Sequence, residues 1–294
     1  MRKRGSHMPT NEQLKQREAY LTTFESVEGI PILLDRFQPE SGFNYVWYGI
    51  PENRAGKRLR KFPVNPISLS SLERTVQILK TVWGDHVIGI ITGGTRADRN
   101  ARSGHSISPH SIRYGSQEAK VWCTGIDIDG IMWKDNDNVI TIYCSNRSMA
   151  PKTFVIPTNY WIGDEFISNL GLNRVIEIVA GYNKPYVVMG CILSQCFGTV
   201  LHDNCSGYTG VTHRDHFHVD NVRKIGFVDS NSQATMVQMA LNLEPGNTLK
   251  IDGKIGPKTI ETWKSWAESV EVPWTHEAEM YRKLMEITPV RHGG

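Results

Sequence analysis

The run Thr212-His213-Arg214-Asp215-His216-Phe217-His218-Val219-Asp220 constrains this chain more than any other stretch. From His216 onward polar and apolar residues alternate, which is the period of a β-strand. Such a strand puts His216 and His218 on one face and Phe217 and Val219 on the other. Three of the ten histidines fall in this run. Two imidazoles on one rigid face either bind a metal together or divide into one ligand and one proton-transfer group.

The 294 residues suffice for one large domain or two smaller ones, and 39% hydrophobic against 21% charged residues provides for a sizeable core. Residues 1–8 read as an expression scar and are set aside for the fold. They hold Arg2, Lys3 and Arg4, so the formal charge of +3 resides there, and 30 basic side chains balance 30 acidic ones in the remainder. The expectation is therefore no nucleic-acid partner. The basic stretch Arg54-Ala55-Gly56-Lys57-Arg58-Leu59-Arg60-Lys61 reads as a solvated loop. No segment approaches the ~18 consecutive apolar residues of a membrane span. No signal peptide follows Met8; either a signal has been removed or the protein leaves its cell by another route.

Of the five cysteines, Cys123, Cys144, Cys191, Cys196 and Cys205, none forms Cys-x-x-Cys, which disfavours a cysteine-built zinc site. Cys191, Cys196 and Cys205 are compatible with a disulfide in an oxidising compartment, and equally with reduced core thiols.

Along the chain, 9–28 reads as a polar helix and 29–68 as an irregular arm of unknown role, rich in proline and aromatics. Ser70-Ser71-Leu72-Glu73 has the capping-box pattern. Leu72, Val76, Leu79, Val82 and Trp83 follow at helical spacing, so 71–83 is expected as an amphipathic helix. Val87–Ile91, Gly125–Gly130, Val139–Tyr143, Tyr186–Met189 and His216–Val219 read as strands, and Asp164–Val179 as a helix. The expected fold class is α+β: a small antiparallel-sheet core over 69–228 with flanking helices. Asp229-Ser230-Asn231-Ser232 reads as a linker. Beyond it, 229–294 is expected to form a three-helix module, with helices at Gln233–Leu243, from about Pro257, and at Thr275–Ile287.

A catalytic zinc needs about three protein ligands of N or O type and one open position. Upstream of the histidine run, Ser108-Pro109-His110 and Gly125-Ile126-Asp127-Ile128-Asp129 supply further candidates. Ser-x-His, then Gly-x-Asp, then a late His-x-x-His-x-His resembles the zinc peptidases of the D-Ala-D-Ala carboxypeptidase and murein endopeptidase superfamily. Phe197-Gly198-Thr199-Val200-Leu201 followed by His213–Asp220 is most similar to its extensin-like branch. The resemblance covers roughly 70–225. It implies Zn²⁺ held by His110, Asp127 and His218. It further implies His213 and His216 as the non-ligand histidines beside the metal, and Arg96 as the group on the substrate or the developing oxyanion.

The chain departs from that family in one spacing. His110 and Asp127 are seventeen residues apart, wider than in the family, so Ile112 to Val121 must loop out between neighbouring strands. Ser103-Gly104-His105 is a rival for the first ligand, and Asp129 is a rival for Asp127.

The C-terminal segment carries a second resemblance. Ala234–Asn242 followed by Asp252-Gly253-Lys254-Ile255-Gly256-Pro257-Lys258-Thr259 resembles the small three-helix peptidoglycan-binding domain, with its Asp-Gly-x-x-Gly-x-x-Thr hallmark complete. Gly253 suits a tight turn, and Pro257 suits a first helical position. Val237, Leu241, Ile255, Ile260 and Trp263 are the expected core. The spacing of Trp263 and Trp266 favours core packing over stacking on sugar.

Together the two resemblances imply an enzyme that cleaves peptide stems or crosslinks of bacterial peptidoglycan, in the periplasm or cell wall of a target bacterium. It would be a phage lysin or a secreted antibacterial effector, with the arm 9–68 as the piece that docks to a phage or secretion-system carrier. The rival reading is a non-catalytic cell-wall-binding protein with a structural zinc site.

Overall fold

The computed structural model describes residues 22–24, 26–27, 30–34, 62–64, 66–94, 125–135, 138–145, 159–162, 165–168, 173–180, 184–202, 205, 213 and 216–293. Over these residues the fold mixes helix and sheet and is broadly α+β.

The strands are β1 (Thr22–Phe24), β2 (Ser26–Val27), β3 (Ile30–Leu34), β4 (Phe62–Val64), β5 (Val87–Gly94), β6 (Ile126–Asp135), β7 (Asn138–Ser145), β8 (Asn159–Ile162), β9 (Glu165–Ser168), β10 (Asn173–Ala180), β11 (Thr199–Leu201) and β12 (Phe217–Asp220). The helices are α1 (Pro66–Trp83), α2 (Lys184–Cys196), α3 (Asn231–Leu241), α4 (Pro257–Ser269) and α5 (Glu277–His292).

The main sheet has eight strands in the order β10-β7-β6-β5-β3-β2, with β12 also on β6 and β11 on β12. Its middle is antiparallel, as expected: β5 with β6, β6 with β7, β6 with β12 and β12 with β11. Its flanks are not, because β3 pairs parallel with β5 and β10 parallel with β7. The long strand β6 holds the arrangement together. Its first residues pair with β12 and its later ones with β7, while β5 lies along its other edge. The β5–β6 register shifts at three places. Such irregularities twist a ladder and re-aim side chains locally.

Five local expectations need correction. The arm over 29–68 is not irregular throughout: Ile30–Leu34 is a strand of the main sheet, parallel to β5, and Phe62–Val64 pairs with β1. The polar helix over 9–28 does not extend through its end, where Thr22–Phe24 and Ser26–Val27 are strands. The helix expected from Ser71 begins at Pro66, since proline fits a first helical turn, and Ser70 lies inside it rather than at a cap. Asp164–Val179 is not a helix: Glu165–Ser168 and Asn173–Ala180 are strands. Val175, Ile176, Ile178 and Val179 are β-branched, and parallel pairing with β7 decides their state. Tyr186–Met189 is helix, not strand, as the first half of α2.

That helix is the centre of the core. Tyr186 to Ser194 and Cys196 are all buried, so the segment has no amphipathic period to read. It packs on α1, α3 and α5. Leu72, Val76, Leu79 and Trp83 of α1 meet it from one side, and Met280, Tyr281, Leu284 and Met285 of α5 belong to the same buried cluster. Gly190 lies where a Cβ would collide with the Met236 side chain of α3. The buried cluster thus runs without interruption across residue 229. The expected linker Asp229–Ser232 runs directly into α3, which begins at Asn231: Ser230 caps it by accepting the Gln233 backbone N–H at 3.4 Å. The buried Ser232 hydroxyl donates to the Val200 carbonyl of β11. Cys191, Cys196 and Cys205 are buried thiols rather than half-cystines.

Candidate metal centre and proton-transfer site

Alternation along two neighbouring strands builds the site. On β6, Ile126 and Ile128 are fully buried in the core and Asp127 lies between them. On β12, Phe217 and Val219 do the same on either side of His218. Phe217 stacks on Tyr186 of α2 with ring centroids 4.6 Å apart. This apolar clamp fixes the strand, and therefore the face on which the polar residues emerge.

The β6–β12 register sets His218 directly opposite Asp127. Side chains opposed across an antiparallel pair are close enough to bond. His218 Nδ1 lies 3.1 Å from Asp127 Oδ1. His216, just before β12, brings its Nε2 to 3.4 Å from the same oxygen. The His213 ring centroid is 5.2 Å from that of His216 and 5.3 Å from that of His218. Asp127, His216 and His218 are 8%, 7% and 5% exposed, whereas His213 is half-buried.

A residue given no role from sequence completes the cluster. Asp220 follows His218 by two positions on the same strand face, and its Oδ2 lies 3.2 Å from His218 Nε2. The i, i+2 spacing was the available signal. Asp220 also accepts the Val222 backbone N–H at 2.9 Å and a hydrogen bond from Thr199. Burial alone would lower the His218 pKa. The hydrogen bonds and charges of Asp127 and Asp220 overcome it and push the imidazole up to about 9. Asp220 answers in kind: burial opposes its ionisation, but His218 and the donors around it hold its carboxyl below the ordinary carboxylate value.

Four of the expected site residues, Asp127, His213, His216 and His218, therefore come together. Gly94 of β5 is the register partner of Asp127. Arg96 follows two residues later and lies outside the described residues, as do His110 and its rival His105. Asp129 lies in β6, two residues beyond Asp127.

The donor chemistry fits a zinc ion in part. Ligands placed tetrahedrally at about 2.0–2.1 Å from one zinc stand roughly 3.3 Å apart. The atoms of the expected ligand pair, His218 Nδ1 and Asp127 Oδ1, stand 3.1 Å apart, near that spacing. They equally serve a charge-assisted hydrogen bond in a metal-free chain. Among the described residues no three such side chains make a complete metal-binding group. His110 and its rival His105, the expected third ligand, fall outside those residues.

Within 229–294, Asp252 and Gly253 belong to the turn between α3 and α4, which Gln238 holds. Gln238 of α3 is buried, and its Nε2 donates to Asp252 Oδ1 at 2.9 Å and to the Lys254 carbonyl at 3.0 Å. Its Oε1 accepts the backbone N–H groups of Asp252 at 3.0 Å and Gly253 at 2.9 Å. Gly253 has φ +69°, and a Cβ there would run into Asn231. Trp263 and Trp266 are core residues, at 0% and 3% exposure.

Comparison with known proteins found no matching family model, no matching curated protein and no matching solved structure. Among the described residues no helix is long and apolar enough to cross a membrane.

Proposed function

We propose that this chain is a zinc-dependent peptidase acting on the peptide stems or crosslinks of bacterial peptidoglycan. The observation that carries the reading is the cross-strand pair Asp127–His218, with His216 and His213 gathered against it. Buried carboxylate and imidazole side chains, converging on a face with one half-exposed imidazole, suit a metal site that admits substrate better than one closed for structure.

Asp127 and His218 would hold the ion, with His110 as the third ligand. Held by these residues, a zinc ion would supply Lewis acidity and lower the pKa of a bound water toward neutrality. The chain's own groups do the rest. His213, the most exposed imidazole of the cluster, accepts a proton from the attacking water and returns it to the leaving amine. His216 Nε2, 3.4 Å from Asp127 Oδ1, steadies the carboxylate. Arg96 is assigned to the developing oxyanion, where a guanidinium is effective.

The substrate class rests on the two resemblances together. The Asp-Gly-x-x-Gly-x-x-Thr residues are engaged in building the α3–α4 turn, so a wall-binding face would be made by other side chains of 229–294. The site of action would be the periplasm or cell wall of a target bacterium, for a lysin or a secreted effector, with 9–68 as the docking arm.

The test is digestion of purified peptidoglycan by the zinc-loaded full chain, followed by muropeptide profiles and release of new amino groups. Cleaved stems or crosslinks are expected from the wild type and none from His218→Ala. Unchanged profiles with zinc-loaded wild type would overturn the proposal.

A further inference from the structure

His218 is held at both ring nitrogens, and the two holds differ in kind. Nδ1 faces Asp127 across the strand pair at 3.1 Å, on the side shared with His216. Nε2 faces Asp220 on its own strand at 3.2 Å. A neutral imidazole has one lone pair and one N–H. If the lone pair at Nδ1 points to a metal shared with Asp127, the proton sits on Nε2 and needs a buried acceptor. Asp220 is the acceptor in place. It is 4% exposed. The Val222 N–H at 2.9 Å and Thr199 fix it, so it is oriented independently of His218.

We propose that Asp220 is a positioning residue for the metal centre: its carboxylate accepts Nε2–H of His218, selects the tautomer with the lone pair on Nδ1, and locks the ring plane toward Asp127. This rests on the reading of Asp127 and His218 as zinc ligands. Outer carboxylates of this kind make the ligand more basic as well as better aimed. Asp220 lies across the imidazole from Asp127, on the Nε2 side of the ring. Its removal therefore acts on metal affinity and coordination first.

Zinc affinity is measured for the full chain by competition with a chromophoric chelator, and the visible spectrum of the cobalt-substituted protein reports the coordination. Asp220→Ala is expected to weaken zinc binding by about 10–100-fold and to shift the cobalt bands, with Asp220→Asn lying between it and the wild type. Melting of the metal-free variants separates lost folding from lost aim. If Asp220→Ala does not fold, Asp220→Asn alone carries the test and must still show weaker zinc binding and a shifted spectrum. Wild-type-like affinity, within about twofold, together with an unaltered cobalt spectrum would reduce Asp220 to a structural residue and leave the peptidase reading standing. Failure of the wild type itself to take up zinc would remove both.

Discussion

His218 sits between two carboxylates in a place where water does not screen them. In the metal-free chain that environment makes it an imidazolium at neutral pH, since its folded pKa is raised to about 9 while an unfolded histidine titrates near ~6.5. The group therefore adds stability that is complete below pH ~6.5 and is lost as pH rises through about 9. Melting temperatures of the chelator-treated protein should fall across that window, and His218→Asn should flatten the fall. A wild-type profile as flat as the variant's would contradict the ion triad. In the sequence, the family resemblance singles out Asp127 and His218, while alternation fixes only the face each occupies and does not separate Asp127 from Asp129. The bond from His218 to Asp220 was not legible there, because which ring nitrogen meets which carboxylate depends on rotamers that no pattern encodes.

Elements differ in how openly their sequence declares them. Leu72, Val76, Leu79 and Trp83 show one buried stripe, and the helix α1 follows. Helix α2 is buried on every side, so its apolar run fits a core strand as well as a helix. The segment containing β9 and β10 misleads for a related reason. Phe166, Ile167, Leu170, Val175 and Ile178 happen to match helical spacing, whereas the pairing of β10 with β7 joins residues about 35 positions apart, such as Val175 and Ile140. In the turn between α3 and α4 the hidden element is Gln238, a residue type more often found in solvent. Two backbone donors and one carbonyl of the turn depend on its amide. Gln238→Leu should therefore destabilise the protein by about 1–3 kcal/mol in chemical denaturation, because the turn loses the hydrogen bonds it shares with that one side chain. A loss below about 0.5 kcal/mol, the range of an ordinary surface substitution, would show that the turn holds without it.

Over the whole molecule, α2 lies between the sheet that carries the site and the helices that follow residue 229. Gln195 Nε2 donates to the Met285 carbonyl of α5 at 2.8 Å, and Tyr281, Leu284 and Met285 share one buried cluster with Val188 and Ile192. The C-terminal segment thus shields the helix on which Phe217 and β12 rest. The full chain should unfold in one calorimetric transition. A chain ended at residue 228 should aggregate or lose its near-ultraviolet signal, because it bares the α5-facing side of α2. Two well-separated transitions, with a stable 1–228 piece, would show that the segments fold independently.

The centre itself is tested most directly by the metal content of the purified full chain, measured beside His218→Ala after dialysis against excess zinc and then buffer. The account predicts about one zinc ion per wild-type chain and essentially none in the variant. A wild type that retains no zinc, or a His218→Ala chain that retains as much, would contradict it.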